Sequence, residues 1–282
     1  MDTLAKALIS RASGQSKLRV DDVVICEVDL AMIHDSGGPR RVKPILDRLQ
    51  RQVWDKDKIV VVTDHYVPAD NAETRAIQAL TKQWVQDQSI DKFYDEQGIC
   101  HVVLPERGHL APGLFCVGGD SHSPTGGAFG AYMFGIGATE MAGVLATGEI
   151  WIKVPETILM SWRNQLSAYV TAKDMMLAMC RKIGMGGGRY QAIQYAGQTI
   201  QALSMQERMT LSNMAAELGA QAGLIAPDEA TVAFVQAAGG TVPANWRDFQ
   251  IEAAESAENV MQFDAASLEP QIAAPHSPEN AD

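Results

Sequence analysis

Very little in this sequence points to a membrane, a secretory route or a nucleic acid. Across its 282 residues no apolar run approaches the length needed to span a bilayer. The opening stretch, MDTLAKALISRASGQSKLRV, has no apolar h-region followed by a small-residue cleavage site, so a cytoplasmic location is expected. Positive charge is in deficit: 23 Lys and Arg stand against 34 Asp and Glu, a formal net charge of −11 that would repel a phosphate backbone. The same deficit means that a carboxylate substrate would need local positive groups to overcome the overall field. Cysteine is scarce and scattered, at Cys26, Cys100, Cys116 and Cys180, with no CxxC pair. These read as reduced, buried small hydrophobes, and no metal site follows from their spacing.

Several catalytic signatures are also missing. GIGATE contains a GxG but lacks the third glycine and the downstream acidic residue of a dinucleotide fingerprint. There is no GxxxxGK[ST], no GxSxG elbow around Ser121, and no HxH or HExxH pair. Beyond Arg247 there is no Lys or Arg at all, while eight acidic residues run from Asp248 to the end. The last stretch, AAPHSPENAD, has no periodicity and reads as a frayed end.

What is present is a globular balance, 46% hydrophobic and 20% charged, on a chain long enough for one large or two ordinary domains. TLAKALISRA has the spacing of an amphipathic helix, VVICEVDLAMI reads as a first strand, and Arg41 to Leu49 as a short helix. KIVVVTDH is the clearest buried strand, and AETRAIQALTKQWVQDQ the clearest helix. GICHVVLPE and GLFCVGGDSH read as two further strands. Helix alternating with strand predicts an α/β fold with parallel character. From Gly118 to Gly148 the chain is glycine-rich, as expected where backbones approach closely around a loop at a strand end. A second α/β region begins near Lys153 with the strand VPETILMSW, followed by the helices AKDMMLAMCRKIG and MTLSNMAAELGAQAG. The expected organisation is therefore 1–152 and 153–282, the second region carrying the acidic, frayed tail.

Three of the six histidines fall at or beside expected strand ends with carboxylates close by: Asp64 and His65 in TDH, His101 in GICH, and Asp120, Ser121 and His122 in GDSH. Ligands bind at such ends in parallel α/β sheets. A histidine oriented by a carboxylate can act as a general acid or base near neutral pH. Any one of these taken alone is more simply a hydrogen-bonded structural histidine; three between positions 65 and 122 favour a shared polar site. Binding of a divalent metal by His65, His101 and His122, as in a metal-dependent hydrolase or lyase, is the reading from a different catalytic class.

The segments VDLAMIHD, VVVTDH, GICHVVLPERGHLAPG, GGDSHSPTGGAFGAYMFGIGATEMAGVLATGEIWIKVPE and MQERMTLSNMAAELGAQAGLIAPD together resemble, in collinear order, the 3-isopropylmalate dehydratase large-subunit family within the aconitase superfamily. The resemblance implies the first two domains of a three-layer αβα catalytic head. It also implies a hydro-lyase that dehydrates and rehydrates a hydroxy-polycarboxylate at a [4Fe–4S] cluster, with a separate small subunit as partner and a role in leucine biosynthesis. Citraconate, 2,3-dimethylmalate and homoaconitate chemistry are same-class alternatives. Carried over residue by residue, Asp64 pairs with His65, Asp120 with His101 and Glu217 with His122, and His65 protonates the departing hydroxyl. His34, Asp35, Ser121 and Asn213 are expected to contact substrate.

The family's cluster ligands, one cysteine in an SCTN-type motif and two in CxxC, have no counterpart here, nor does its serine base. The resemblance therefore implies the acid side of such a site without the iron side: a truncated product, a split enzyme completed by another chain, or an inactive chain that at most binds a partner.

Overall fold

The computed structural model describes residues 3–251, 257 and 259–282. The elements in chain order are α1 (Leu4–Ser13), β1 (Val23–Glu27), β2 (Leu30–His34), α2 (Pro39–Leu49), β3 (Ile59–Thr63), α3 (Ala72–Asp87), β4 (Phe93–Asp95), α4 (Cys100–Glu106), β5 (Phe115–Gly118), β6 (Tyr132–Gly135) and α5 (Ala138–Thr147). They continue with β7 (Glu149–Lys153), β8 (Thr157–Arg163), α6 (Ala172–Ile183), β9 (Ala192–Ala196), α7 (Gln198–Ala202), α8 (Met205–Asn213), β10 (Ala222–Ile225), α9 (Glu229–Ala237) and β11 (Asn259–Asp264).

A five-stranded parallel sheet in the order β4-β3-β2-β5-β6 forms the centre of the first half. Its strands are apolar on both faces, and alternate residues feed two different cores. Ala31, Ile33, Ile59, Val61, Phe115, Val117, Tyr132 and Phe134 pack on one side, where α1, α2, α3 and α5 contribute Leu8, Leu46, Trp84 and Leu145. Met32, Val60, Val62, Cys116 and Met133 point the other way, against Val103 and Leu104 of α4, Phe129 and Val235 of α9. A strand buried on both faces needs this continuous apolar run, and the outcome is three layers, helix–sheet–helix. A second parallel sheet, β10-β9-β8-β11, packs Met160, Trp162, Ile193 and Tyr195 on Met175, Met176 and Met179 of α6. Its other face turns Ala192, Ala222 and Leu224 into the core that holds α1.

The local signals behave as the physics of caps demands. Thr3 accepts the Lys6 N–H at 3.3 Å to start α1, and Gly14 at φ 66° ends it. Four sequence expectations need correction. The expected single strand VVICEVDLAMI is two, β1 and β2, in different sheets: β1 pairs antiparallel with β7, and the break falls where the Asp29 N–H donates to the Phe115 carbonyl at 2.8 Å. GICHVVLPE is a helix, α4, despite its β-branched residues, because the Asp64 carboxylate accepts the Cys100 N–H at 2.6 Å and caps the first turn. MTLSNMAAELGAQAG is not one helix: α8 ends at Asn213, a 3₁₀ turn (Met214–Ala216) follows, and β10 starts at Ala222. The glycine-rich stretch, ordered largely as a 3₁₀ segment (Ser123–Phe129), β6 and α5, does bring backbones close together. At Gly135 a Cβ would strike the Asp120 carbonyl, so glycine there lets β6 lie against the Asp120 loop.

The fourth correction concerns the acidic tail, which is not frayed where it is described. β11 adds to the second sheet as a parallel edge strand beside β8, with Phe263 stacked on Trp162 at 4.6 Å between ring centroids. Asp174 accepts the Gln271 N–H at 2.7 Å, and Arg181 pairs with Asp282 at 2.8 Å. The positive partners absent from the tail itself are thus supplied by Arg181 of α6 and by Arg163 of β8, which lies 3.3 Å from Asp264. Glu252, Glu255 and Glu258 lie outside the described residues.

Candidate active site

The crevice follows from strand order. From β2 the chain moves outward through β3 to β4, then returns to place β5 and β6 on the other side of β2. The carboxyl ends of strands beside such a reversal open a natural binding crevice. Here β2 ends in His34, β3 runs into Asp64 and His65, and β5 runs into Gly119, Asp120, Ser121 and His122. His101 arrives from the opposite layer, on the first turn of α4 rather than at a strand end.

These residues form a continuous polar chain. His65 Nδ1 lies 2.6 Å from Asp64 Oδ1, and its Nε2 lies 3.6 Å from Asp120 Oδ2. The other Asp120 oxygen meets His101 Nε2 at 2.7 Å and accepts the His122 N–H at 2.8 Å. The His101 and His122 rings meet edge to face with centroids 6.2 Å apart, and His34 stacks on His65 at 3.9 Å. All four rings therefore share one crevice.

The charges follow from the contacts. Asp120 and Asp64, one on each side, hold the His65 imidazolium and push its pKa up to about 10. Burial alone would raise Asp120, but the His101 ring, the His65 ring and the His122 N–H outweigh it and bring its carboxyl far below the usual range. Asp64 is likewise lowered against its burial, by His65 and by the Cys100 N–H. His34 moves the opposite way: burial and the neighbouring His65 charge lower it, and the ring stays neutral. In that form Nε2–H donates to the Gly119 carbonyl at 2.9 Å while Nδ1 accepts the Gly37 N–H at 3.3 Å.

Two of the expected pairs are present, Asp64–His65 and Asp120–His101. The third is absent among the described residues: His122 Nδ1 faces the Asn213 carbonyl at 3.3 Å, and the Glu217 side chain, after the 3₁₀ turn Met214–Ala216, makes no hydrogen bond or ion pair with them, while its N–H donates to the Met214 carbonyl at 3.0 Å. Asp35, expected to touch substrate, is fully buried behind the crevice and accepts backbone N–H groups instead. Ser121 is exposed at the mouth of a cleft of about 380 Å³ that Asp120, Tyr190 and Gln221 also line. His101 and Asn213 border a second, mostly apolar hollow of about 500 Å³, with Lys173 and Glu106 as its charged members.

The sequence reading missed Thr125, whose Oγ1 donates to the His122 carbonyl at 2.6 Å and accepts Asn213 Nδ2–H at 2.9 Å. Its place three residues beyond His122 of GDSH was the only available signal. Among the described residues, the grouping of side chains close enough to share a metal ion is His34, Asp35, Asp64 and His65. Their donor atoms already serve one another and the backbone, and His101 and His122 are not among them, so a three-histidine metal centre gains no support.

These parallel sheets, with a histidine–carboxylate chain at a strand reversal, are those of an α/β protein. Residues 6–281 match the family model described as the Aconitase family (aconitate hydratase), and the chain belongs to that family. It is 41% identical over 279 residues to the probable 3-isopropylmalate dehydratase large subunit of Methanothermobacter thermautotrophicus, covering 99% of this chain and 66% of that protein. It is 42% identical, with the same coverage, to 3-isopropylmalate dehydratase large subunit 1 of Methanopyrus kandleri. The probable methanogen homoaconitase large subunit of Methanosarcina mazei is 41% identical over 258 residues, 91% of this chain and 65% of that protein. The chain thus spans about two thirds of the length of these relatives. Among solved structures, Thermococcus kodakaraensis aconitase X aligns at a TM-score of 0.48 and 8% identity, over 86% of this chain and 57% of that one.

Proposed function

We propose that this chain supplies the acid side of a hydro-lyase acting on hydroxy-polycarboxylates, with 3-isopropylmalate as the substrate and homoaconitate-type acids as the nearest alternative. The observation that carries the reading is the Asp64–His65–Asp120–His101 chain at the strand reversal of an aconitase-family segment. An imidazolium held between two carboxylates keeps its proton at neutral pH and presents it to a poor leaving group.

In the dehydration direction the C–O bond breaks, and His65 gives its proton so that hydroxide leaves as water. The electrons of a neighbouring C–H bond form the double bond, its proton going to a base that this segment does not supply. Rehydration reverses each step. Ser121 and Asn213 keep the proposed substrate-facing roles, and Glu217 the proposed role beside His122, that the resemblance implies.

The cysteines present do not fit an iron–sulfur cluster. All four are buried and belong to four different elements, and none is in the ion-sized grouping of ligating side chains. Burial pushes the Cys26 thiol up to about 12 and Cys180 to about 11, and raises Cys100 and Cys116 further. We therefore assign cluster thiolates, and the small subunit that the relatives' names imply, to protein outside this segment. The leucine-biosynthetic role and cytoplasmic location belong to the same proposal.

The test is turnover. The chain, supplied with a cluster-bearing complement and a small subunit from a relative, should convert 3-isopropylmalate to an unsaturated acid, seen as new ultraviolet absorbance. No turnover of isopropylmalate, homocitrate or citrate in an assembly with an intact cluster would overturn the proposal in favour of an inactive or purely partner-binding chain.

A further inference from the structure

Asp35 is fully buried, and its carboxylate spans three consecutive backbone amides. Oδ1 accepts the N–H of Asp64 at 3.4 Å and of His65 at 3.1 Å, and Oδ2 accepts the Tyr66 N–H at 3.0 Å. Those amides belong to the chain just as it leaves β3, where the sheet offers them no ladder partner. A buried carboxylate without them would be an uncompensated charge; with them, each fixes the other through charge-assisted hydrogen bonds. Next to Asp35 on the same strand end, the His34 ring stacks on the His65 ring at 3.9 Å and an interplanar angle of 10°. His34 is itself pinned at both ring nitrogens by Gly119 and Gly37.

We infer that His34 and Asp35 are positioning residues: Asp35 grips the backbone of residues 64–66 and His34 backs the ring, so that His65 is aimed between Asp64 and Asp120. Neither side chain has a free polar atom for a substrate. The functional meaning rests on the acid role proposed for His65; the geometry does not. The ionisable groups that face His65 are Asp64 at 2.6 Å and Asp120 at 3.6 Å, Asp35 at 3.9 Å, and the stacked His34 ring. A neutral His34 beside a charged His65 avoids like-charge repulsion, in keeping with the lowered His34 ring.

Asp35→Asn would turn one acceptor oxygen into an NH₂ that opposes a backbone N–H. The measurement is the protonation of His65 in the chain as it stands, followed by side-chain nitrogen NMR from neutral to alkaline pH. In the parent protein the imidazolium should persist to a midpoint near the value of about 10. In Asp35→Asn the midpoint should fall by roughly one pH unit or more, about tenfold in acidity. A folded Asp35→Asn with an unmoved midpoint would overturn the inference. Should that variant not fold, amide hydrogen exchange in the parent decides: slow exchange at His65 and Tyr66 supports the grip, and fast exchange at both refutes it. The acid reading fails separately. A shifted midpoint together with full turnover by His65→Ala in the assembled enzyme keeps the cradle and removes the acid role, while an unmoved midpoint with lost turnover does the reverse.

Discussion

The proton on His65 is held from both sides, by Asp120 at 3.6 Å from Nε2 and by Asp64 at 2.6 Å from Nδ1, so folding and protonation are linked at this ring. Its pKa is raised from an ordinary value near ~6.5 to about 10. The associated stability is fully present below the ordinary value and is lost as pH rises through the higher one. The melting temperature should therefore drift down between about pH 7 and pH 10. His65→Gln should flatten that slope, and an identical slope in both proteins would contradict the linkage. The lowered carboxyls work in the opposite sense, their contribution being present above ~4 and lost as pH falls. Asp120→Asn removes the charge and turns one of the two oxygens that serve two rings and one N–H into an NH₂, and should cost roughly 2 kcal/mol in urea unfolding at neutral pH.

At this scale the sequence was readable only where chemistry is local. Asp64 and His65 are adjacent, so their pairing could be anticipated, whereas the Asp120–His101 pair needed the family resemblance. The second Asp120 contact, to His65, and the true place of Asp35 depend on β3, β2 and β5 lying side by side. No residue spacing encodes that order. The His122–Glu217 pairing, transferred by resemblance, gives way here to the Asn213 carbonyl.

Elements were legible where periodicity and caps agreed, as in α1, α3, α6 and β3, and illegible where a tertiary contact overrode local preference. The capped helix α4 is the clearest case, since its Val102–Val103 pair favours a strand until Asp64 supplies the cap. β11 is another: an acidic segment without cations becomes an edge strand because Trp162 and Lys182 offer Phe263 a stacked ring and an ammonium at 4.2 Å. The junction of α8 and α9 shows the same dependence on distant partners. Arg208 is only 1% exposed and pairs with Asp228 at 2.6 Å, while the other Asp228 oxygen caps α9 through the Thr231 N–H at 3.0 Å. Asp228→Ala strands a buried guanidinium and removes a cap together, for a loss of about 3 kcal/mol in chemical denaturation. Asp228→Asn retains the cap and should lose less; equal losses would show that the cap contributes nothing.

For the whole molecule, the net charge of −11 and the four dispersed thiols bear on what the chain can do alone. Anaerobic reconstitution of the purified chain with iron and sulfide should leave no [4Fe–4S] absorption or EPR signal after desalting. A stoichiometric signal that survives would contradict the cysteine assignment and direct attention to Cys100, whose backbone N–H is bound to Asp64.

The central claim is that His65 is the acid of a hydro-lyase site, and the turnover of His65→Ala in the assembled, cluster-loaded enzyme tests it most directly. The account predicts a fall of roughly 10²–10⁴-fold in kcat for dehydration of the hydroxy-acid, with the assembly and its cluster content unchanged. Turnover within about twofold of the parent would contradict it.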